Sequence, residues 1–463
     1  MAFSSPAFVF VFLPTVFLLY RLIPGQKGRN LLLLVFSLLF YSAGSLIHLP
    51  LLLGAALVNY LSGLWFRSGR GGRKPVLVAT LILNLGTLAV FKYLDFFTAT
   101  LNGLLGLALP LPGLLLPIGI SFFTFQGLSY SIDVYRDPES GTRSFGEVLL
   151  YLSFFPQLIA GPIVKYRDVA QQLRSRTTAL EDTALGCRRF VVGLSKKLLL
   201  ADVLAPAVDK IYAQSQIADA RLSLLVMVCY CLQIYFDFSG YSDMAIGMGR
   251  MFGFRFHENF DDPYRSGSVR EFWRRWHISL SSWFRVYVYI PLGGSRKGQA
   301  RTCLNLLLVF LLTGLWHGAG WTFAVWGLWH GFWSIMERVT PLKKLSNKAV
   351  GHVYTLLIVA FGFALFRAED PAQGLRVIGG LFTGWSFTRE GSLLLRDAMT
   401  PKVWAALAAG CLAAPGLHRS LAVRLAEKPA ARVLSYALCL GLFALCILRL
   451  ASASFNPFIY FRF

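Results

Sequence analysis

REFWRRWHISLSSWFRVYVYIPLGGSRKGQAR at 270–301, followed directly by TCLNLLLVFLLTGLWHGAGWTFAVWGLWHG at 302–331, is the stretch that decides the fold. His277 and His317 each follow a tryptophan, in neighbouring apolar elements separated by clustered arginine and lysine. Ionisable groups in such surroundings are expensive to desolvate, so they point first to function. Residues 302–316 are mostly apolar; at 1.5 Å per residue they climb roughly 22 Å of a hydrocarbon core about 30 Å thick. His317 is therefore expected to be submerged. Residues 321–336 then descend to a basic loop of Arg338, Lys343, Lys344 and Lys348, which makes 302–336 a short hairpin with TGLWHGAG at its apex. Glycines 314, 318 and 320 suit close backbone approach and sharp redirection there.

Just upstream, Arg255 to Arg301 holds nine Arg or Lys against four acidic residues, interleaved with Trp273, Trp276, Trp283, Tyr287 and Tyr289. Basic residues within an aromatic belt describe a helix at the cytoplasmic interface. Helical spacing puts Trp273, His277 and Ser281 on one face, with Arg274 and Arg275 pointing elsewhere.

The whole chain agrees with a membrane setting. Its 463 residues are 56% hydrophobic and 15% charged, with mean hydropathy +0.57, far more apolar than a soluble domain needs. The length accommodates roughly ten to twelve helices in one bundle, and without repeats or low-complexity linkers residues 1–463 read as a single domain. The charge of +22 sits in short loops between apolar runs, a positive-inside pattern, so nucleic acid is not the partner it implies. Seven scattered cysteines form neither a disulfide framework nor a zinc spacing, and no metal site is expected.

Apolar runs near 7–20, 30–47, 51–66, 76–97 and 114–135 are candidate spans whose loops alternate between basic and uncharged, placing the basic loops in the cytoplasm. The first run has no basic n-region before it and no cleavage site after it, and reads as a retained helix. Residues 146–168 are broken by Pro156 and Pro162 and fit either a re-entrant element or a kinked surface helix. Residues 188–212 form a crossing with Arg188, Arg189, Lys196 and Lys197 at its basic end. In the returning run 222–250, Asp237 and Asp243 must face protein, water or a cation; they either bond neighbouring Ser and Tyr hydroxyls or serve function. Further runs follow near 349–367, 403–417 and 433–450, with an aromatic terminus, FNPFIYFRF, at 455–463.

A buried neutral imidazole at His317 can accept a proton near neutral pH, and general-base assistance is typically worth about 10² to 10⁴ in rate. The sequence has no nucleotide-binding glycine motif, no zincin motif and no serine elbow. A histidine that activates a hydroxyl against an already activated acyl donor needs none of these. His48, His352 and His418 lie near boundaries or loops and His257 among charges, whereas His330 either lines a cavity or packs.

EFWRRWHISLSSWFR at 271–285, YIPLGG at 289–294, GLWHGAGWTFAVWG at 314–327, QIYFDFSGYSDMAIG at 233–247, FFPQLIAGPI at 154–163 and FIYFRF at 458–463 resemble the membrane-bound O-acyltransferase family, over a match from about residue 115 onward. The resemblance implies an all-α polytopic bundle, with re-entrant or interfacial helices, around a buried channel. It implies a catalytic His317, with His277 as the second polar position, positioning a group or stabilising charge on a thioester carbonyl. Trp273, Trp276, Ser281, Trp316, Trp321, Asp237, Arg274 and Arg275 become candidates for lining the channel or binding the donor. Arg270, Arg274 and Arg275 either attract a phosphorylated donor or anchor the chain to lipid. No bound cofactor is implied; the acyl donor is acetyl-CoA or an acylated carrier protein. The resemblance further implies an extracytoplasmic polysaccharide or partner protein as acceptor, reached from a bacterial inner membrane with a partner acetyltransferase. Relatives usually carry Arg-Asp-Tyr where this chain has Arg285, Val286, Tyr287. Rival readings are a proton-coupled transporter or flippase using Asp237, Asp243 and the histidines, and a scaffold for a polymer-secreting complex.

Overall fold

A computed structural model describes residues 2–159, 161–342, 349–416 and 429–452. The expectations for Lys343, Lys344, Lys348, His418 and the 455–463 terminus lie outside them. Every regular element among the described residues is helical. Six helices are long and apolar enough to cross a membrane: Gln26–Arg67, Arg73–Leu105, Ala220–Met251, Gly298–His317, Ala349–Arg367 and Val433–Ser452. The chain is a multi-pass membrane protein. The five early apolar runs all fall on helices, and the fifth starts only at Ile120. Ahead of it, Pro110, Pro112 and Pro117 each lack the amide hydrogen a helix would need.

The chain divides into two compact units, each assembled from separate segments. The first comprises Met1–Phe190 and Ser242–His257, the second Val191–Tyr241 and Glu258–Phe463. In the first unit, helices touch at glycine: a side chain on Gly247 would run into the Gly186 carbonyl and the Phe190 amide. Close approach of this kind is how helices associate where lipid offers no hydrophobic drive. Asp243 accepts from Arg189 Nε at 3.0 Å and Nη2 at 2.9 Å. Residues 145–174 form helices Phe145–Ser153, Phe155–Leu158 and Tyr166–Arg174, with breaks at the prolines. Nearly all side chains from 148 to 166 are buried, so this broken element lies within protein and is no surface helix.

In the second unit Lys197, expected at the basic end of a crossing, belongs to an interior ion cluster. Lys197, 1% exposed, lies 2.8 Å from Asp202 and 2.9 Å from Asp237. The reason is local: Lys196–Ala201 forms a π-helical turn within the crossing, and the extra residue re-aims the side chains around it. Asp237 therefore meets a cation as well as its own helix.

Breaking a buried pair by removing one partner typically costs about 3 to 5 kcal/mol, because a bare charge is left behind. Lys197→Met is expected to lower the melting temperature of the detergent-solubilised protein sharply. Adding Asp202→Asn and Asp237→Asn to it should restore most of that loss, as read by thermal unfolding.

Candidate active site

The Gly298–His317 and Trp321–Val339 helices form the expected hairpin, turning over Gly318–Gly320. Its closeness comes from glycine: side chains on Gly314 and Gly327 would strike the carbonyls of Phe323 and Phe310, and one on Gly318 would strike the Phe323 ring. Gly320 has ordinary room around it. His317 ends the ascending helix at 3% exposure. Its ring lies 5.0 Å from Trp316, 5.2 Å from Trp326 and 5.3 Å from Phe366, centroid to centroid.

The upstream element is not one helix. Val269–Arg275 stops and Ile278–Phe284 starts afresh, with His277 between them in the left-handed region, φ 43° and ψ 55°. Facial spacing across this break does not hold, so Trp273, His277 and Ser281 share no helical face. Conformations of this kind cost of order 1 to 3 kcal/mol and persist only where the surroundings impose them. Asn259 imposes this one. Its main-chain oxygen accepts from Ile278 N at 2.9 Å, and its side-chain Oδ1 accepts from Ser279 N at 3.2 Å and Ser279 Oγ at 2.8 Å. The same Oδ1 stands 3.1 Å from His277 Nδ1. The first helix is held at its start by Glu337 of the hairpin, whose carboxylate accepts from Val269 N at 2.5 Å and Arg270 N at 3.0 Å.

His277 is fully buried. Its ring centroid lies 4.6 Å from Phe238, 5.8 Å from Trp316 and 6.3 Å from His317. Burial drives its imidazole down to about 3, so it is neutral.

A cavity of about 1000 Å³ reaches Thr313 of the ascending helix, and neither histidine of the pair is among its lining residues. Arg270, Arg274, Arg285 and Arg338 line it together with Trp273, Ser281 and Thr313. Of its two carboxylates, Glu337 caps the helix start as above, and Glu271 takes Arg275 Nε at 2.9 Å and Gly267 N at 3.0 Å. No carboxylate among the described residues pairs with the four lining guanidinium groups, so their charge is available to an anion. Thr313 is one helical turn before His317, about 6 Å along the axis. Trp273 forms the wall, packed against Trp326 at 5.6 Å and His330 at 5.0 Å.

The structure thus brings together His277, His317 and Trp316 in one cluster, and Trp273, Ser281 and Arg274 in the adjoining cavity. Arg274 lines the same space as Trp273, contrary to the facial reading. Arg275 lies at the rim, paired with Glu271 and with Asp261 at 2.9 Å. Trp276 sits in an aromatic cluster, 5.4 Å from Phe272 and 5.1 Å from Phe260. Trp321 opens the descending helix at 56% exposure and faces outward. Asp237, bound to Lys197, is not among the lining residues. His330 is fully buried between Trp273 and Trp326, neither ring nitrogen partnered among the described residues. Val286 occupies a π-helical turn, Arg285–Tyr289, next to the lining Arg285. His257 is exposed, and His352 Nδ1 donates to the Ser266 carbonyl at 3.1 Å. The sequence reading did not single out Asn259, Glu337, Arg285 or Arg338 as site residues; Glu337 and Arg338 come from the last turn of the Trp321–Val339 helix.

The profile of the membrane-bound O-acyltransferase family matches residues 120–346. The probable alginate O-acetylase of Pseudomonas putida is 41% identical over the whole of both chains. The peptidoglycan O-acetyltransferase of Helicobacter pylori is 34% identical over 82% of this chain and 79% of its own. The teichoic acid D-alanyltransferase of Bacillus subtilis is 27% identical over 54% and 69%.

Two tryptophans five residues apart should behave oppositely. Trp316→Ala empties a packed site and is expected to cost about 3 kcal/mol or more, whereas Trp321→Ala should stay within about 0.5 kcal/mol. Thermal melting of the two purified variants checks the contrast.

Proposed function

The chain belongs to the membrane-bound O-acyltransferase family and is a membrane O-acyltransferase; we propose that it moves an acetyl group from a cytoplasmic thioester to a hydroxyl of an extracytoplasmic polysaccharide. The carrying observation is a buried imidazole one helical turn beyond a cavity whose four arginines are, among the described residues, unengaged by carboxylates. A donor that is phosphorylated at one end and a thioester at the other matches both parts. Acetyl-CoA and an acylated carrier protein share that chemistry. Guanidinium groups take phosphate as charge-assisted, often bidentate partners.

His317 acts as general base. It takes the proton as the hydroxyl oxygen attacks the carbonyl carbon; the tetrahedral oxyanion then collapses, the carbon–sulfur bond breaks, and the proton passes to the departing thiolate. The tryptophans and Phe366 around the ring exclude water, which would otherwise take the acyl group. Acetyl is favoured by the names of two of the three relatives described. Their acceptors, alginate and peptidoglycan, fit a bacterial inner membrane with the polymer, and a partner acetyltransferase, on its outer side.

His317→Gln is expected to reduce ester content of the exported polymer by at least about 100-fold at equal protein level; near-normal ester content would overturn the reading. Arg274→Glu with Arg285→Glu should raise KM for the donor at least tenfold in membrane vesicles while kcat at saturation changes little. The parent enzyme's KM should rise with salt, and the variant's should not, since screening acts on the charges removed.

A further inference from the structure

The second histidine carries information that the pair's proximity does not: which of its nitrogens holds the hydrogen. Hydrogen positions usually have to be assumed, but here they follow from the partners. A backbone N–H can only donate, so the Asn259 side-chain atom 3.2 Å from Ser279 N must be the amide oxygen. That orientation leaves no choice for the imidazole. An amide oxygen cannot donate, so His277 Nδ1, 3.1 Å away, carries the hydrogen. A neutral imidazole has one N–H, and Nε2 is therefore a bare lone pair. Nε2 is also buried and has no hydrogen-bond partner among the described residues.

We propose that Asn259 is a positioning residue that locks His277 as its Nδ1–H tautomer, so that His277 meets the reacting groups as a hydrogen acceptor at Nε2. This rests on the acyl-transfer reading and revises one role within it. A bare Nε2 cannot donate to the oxyanion of a tetrahedral intermediate, so His277 does not stabilise the charge on the thioester carbonyl, as the resemblance suggested. It accepts a hydrogen bond instead, from a hydroxyl of the acceptor other than the one whose proton His317 takes. The two rings lie 6.3 Å apart, centroid to centroid. If His277 gains a proton, Asn259 Oδ1 still accepts from Nδ1–H and supports the cation.

The surroundings make the lock sensitive to charge at position 259 and to little else. The rings packed on His277 come from Phe238, Phe260, Trp316 and His317, and only His317 titrates. Asp237, next to Phe238 in sequence, is engaged by Lys197. On its own segment, Arg274 opens onto the cavity and Arg275 is paired with Glu271 and Asp261.

Two measurements test the proposal. The first needs no activity: in protein labelled with ¹⁵N-histidine and held in lipid vesicles, the His277 resonances are identified by their loss in His277→Gln. Protonated Nδ1 and bare Nε2 are expected, and a protonated Nε2 in the parent overturns the inference. The second is the pH profile of ester formation by Asn259→Asp. Asp keeps every acceptor contact but adds a negative charge, which favours the imidazolium and raises the His277 pKa. Because the protonated ring cannot accept, activity on the acid side should be lost at least one pH unit higher than in the parent and regained at alkaline pH. Asn259→Leu, lacking the acceptor, should lose at least tenfold in kcat at every pH, with donor KM unchanged. A purely structural Asn259 would instead lower the folded amount in both variants and leave the Asp profile superposed on the parent's, which overturns the proposal. An inactive parent with the expected ¹⁵N pattern would sink the acyl-transfer reading alone.

Discussion

A backbone amide inside an apolar interior must find an acceptor, and a segment that leaves the helix leaves several amides in need of one. That constraint shapes the whole site. The chain breaks its helix at His277, and two buried side chains from distant segments absorb the break. Glu337 takes the first two amides of Val269–Arg275, and Asn259 takes the first two of Ile278–Phe284 through its carbonyl and its amide oxygen. Without them the left-handed His277 would have no reason to persist. With them the break is held in place, and an imidazole is presented where a continuous helix could not present it.

The hairpin supplies the complementary half by opposite means. Its helices need no polar partners because glycine at 314 and 327 lets each main chain press on the other. Contact of this kind admits few alternative registers, and it fixes the height of His317 relative to Trp326 and Phe366. Charge is handled separately. Lys197 balances Asp202 and Asp237 as a closed cluster, and Glu271 and Glu337 are committed to amides and to Arg275. The cavity is left with a surplus of guanidinium groups, as an anion-binding space requires.

Much of this was legible in the sequence because it is local. Hydropathy gave the spans, the apolar run 302–316 gave the helix that ends on His317, and the glycine apex gave the turn. The errors arose where one distant residue overrides a local pattern. Helical spacing assigned His277 to the face of Trp273, but Asn259, eighteen positions upstream of His277, breaks that helix. Nothing in the residues HENFDD marks the asparagine as a clamp. By sequence Lys197 belongs with Arg188, Arg189 and Lys196 at the basic end of a crossing; its pairing with Asp202 and Asp237 shows only in the fold. Trp321 sits in the same motif as Trp316, yet at the first position of a new helix it faces outward. Composition cannot tell these cases apart; the direction of the side chain can.

The arrangement also explains why tryptophan accompanies histidine so closely here. A neutral imidazole is a useful acceptor only if water does not compete for its lone pair, and an acyl thioester survives only where water cannot attack it. Trp326 touches both His317 and His330, Trp273 touches His330 and walls the cavity, and Trp316 touches both members of the pair. Each indole offers a large apolar face to an imidazole. Between the arginine-lined cavity and the histidines this leaves an aromatic wall, with the polar donor end on one side and the proton acceptors on the other. On the proposed reading the thioester has to pass Trp273 to react. The wet end of the donor and the dry end of the chemistry are thus separated by the packed rings of Trp273 and Trp326.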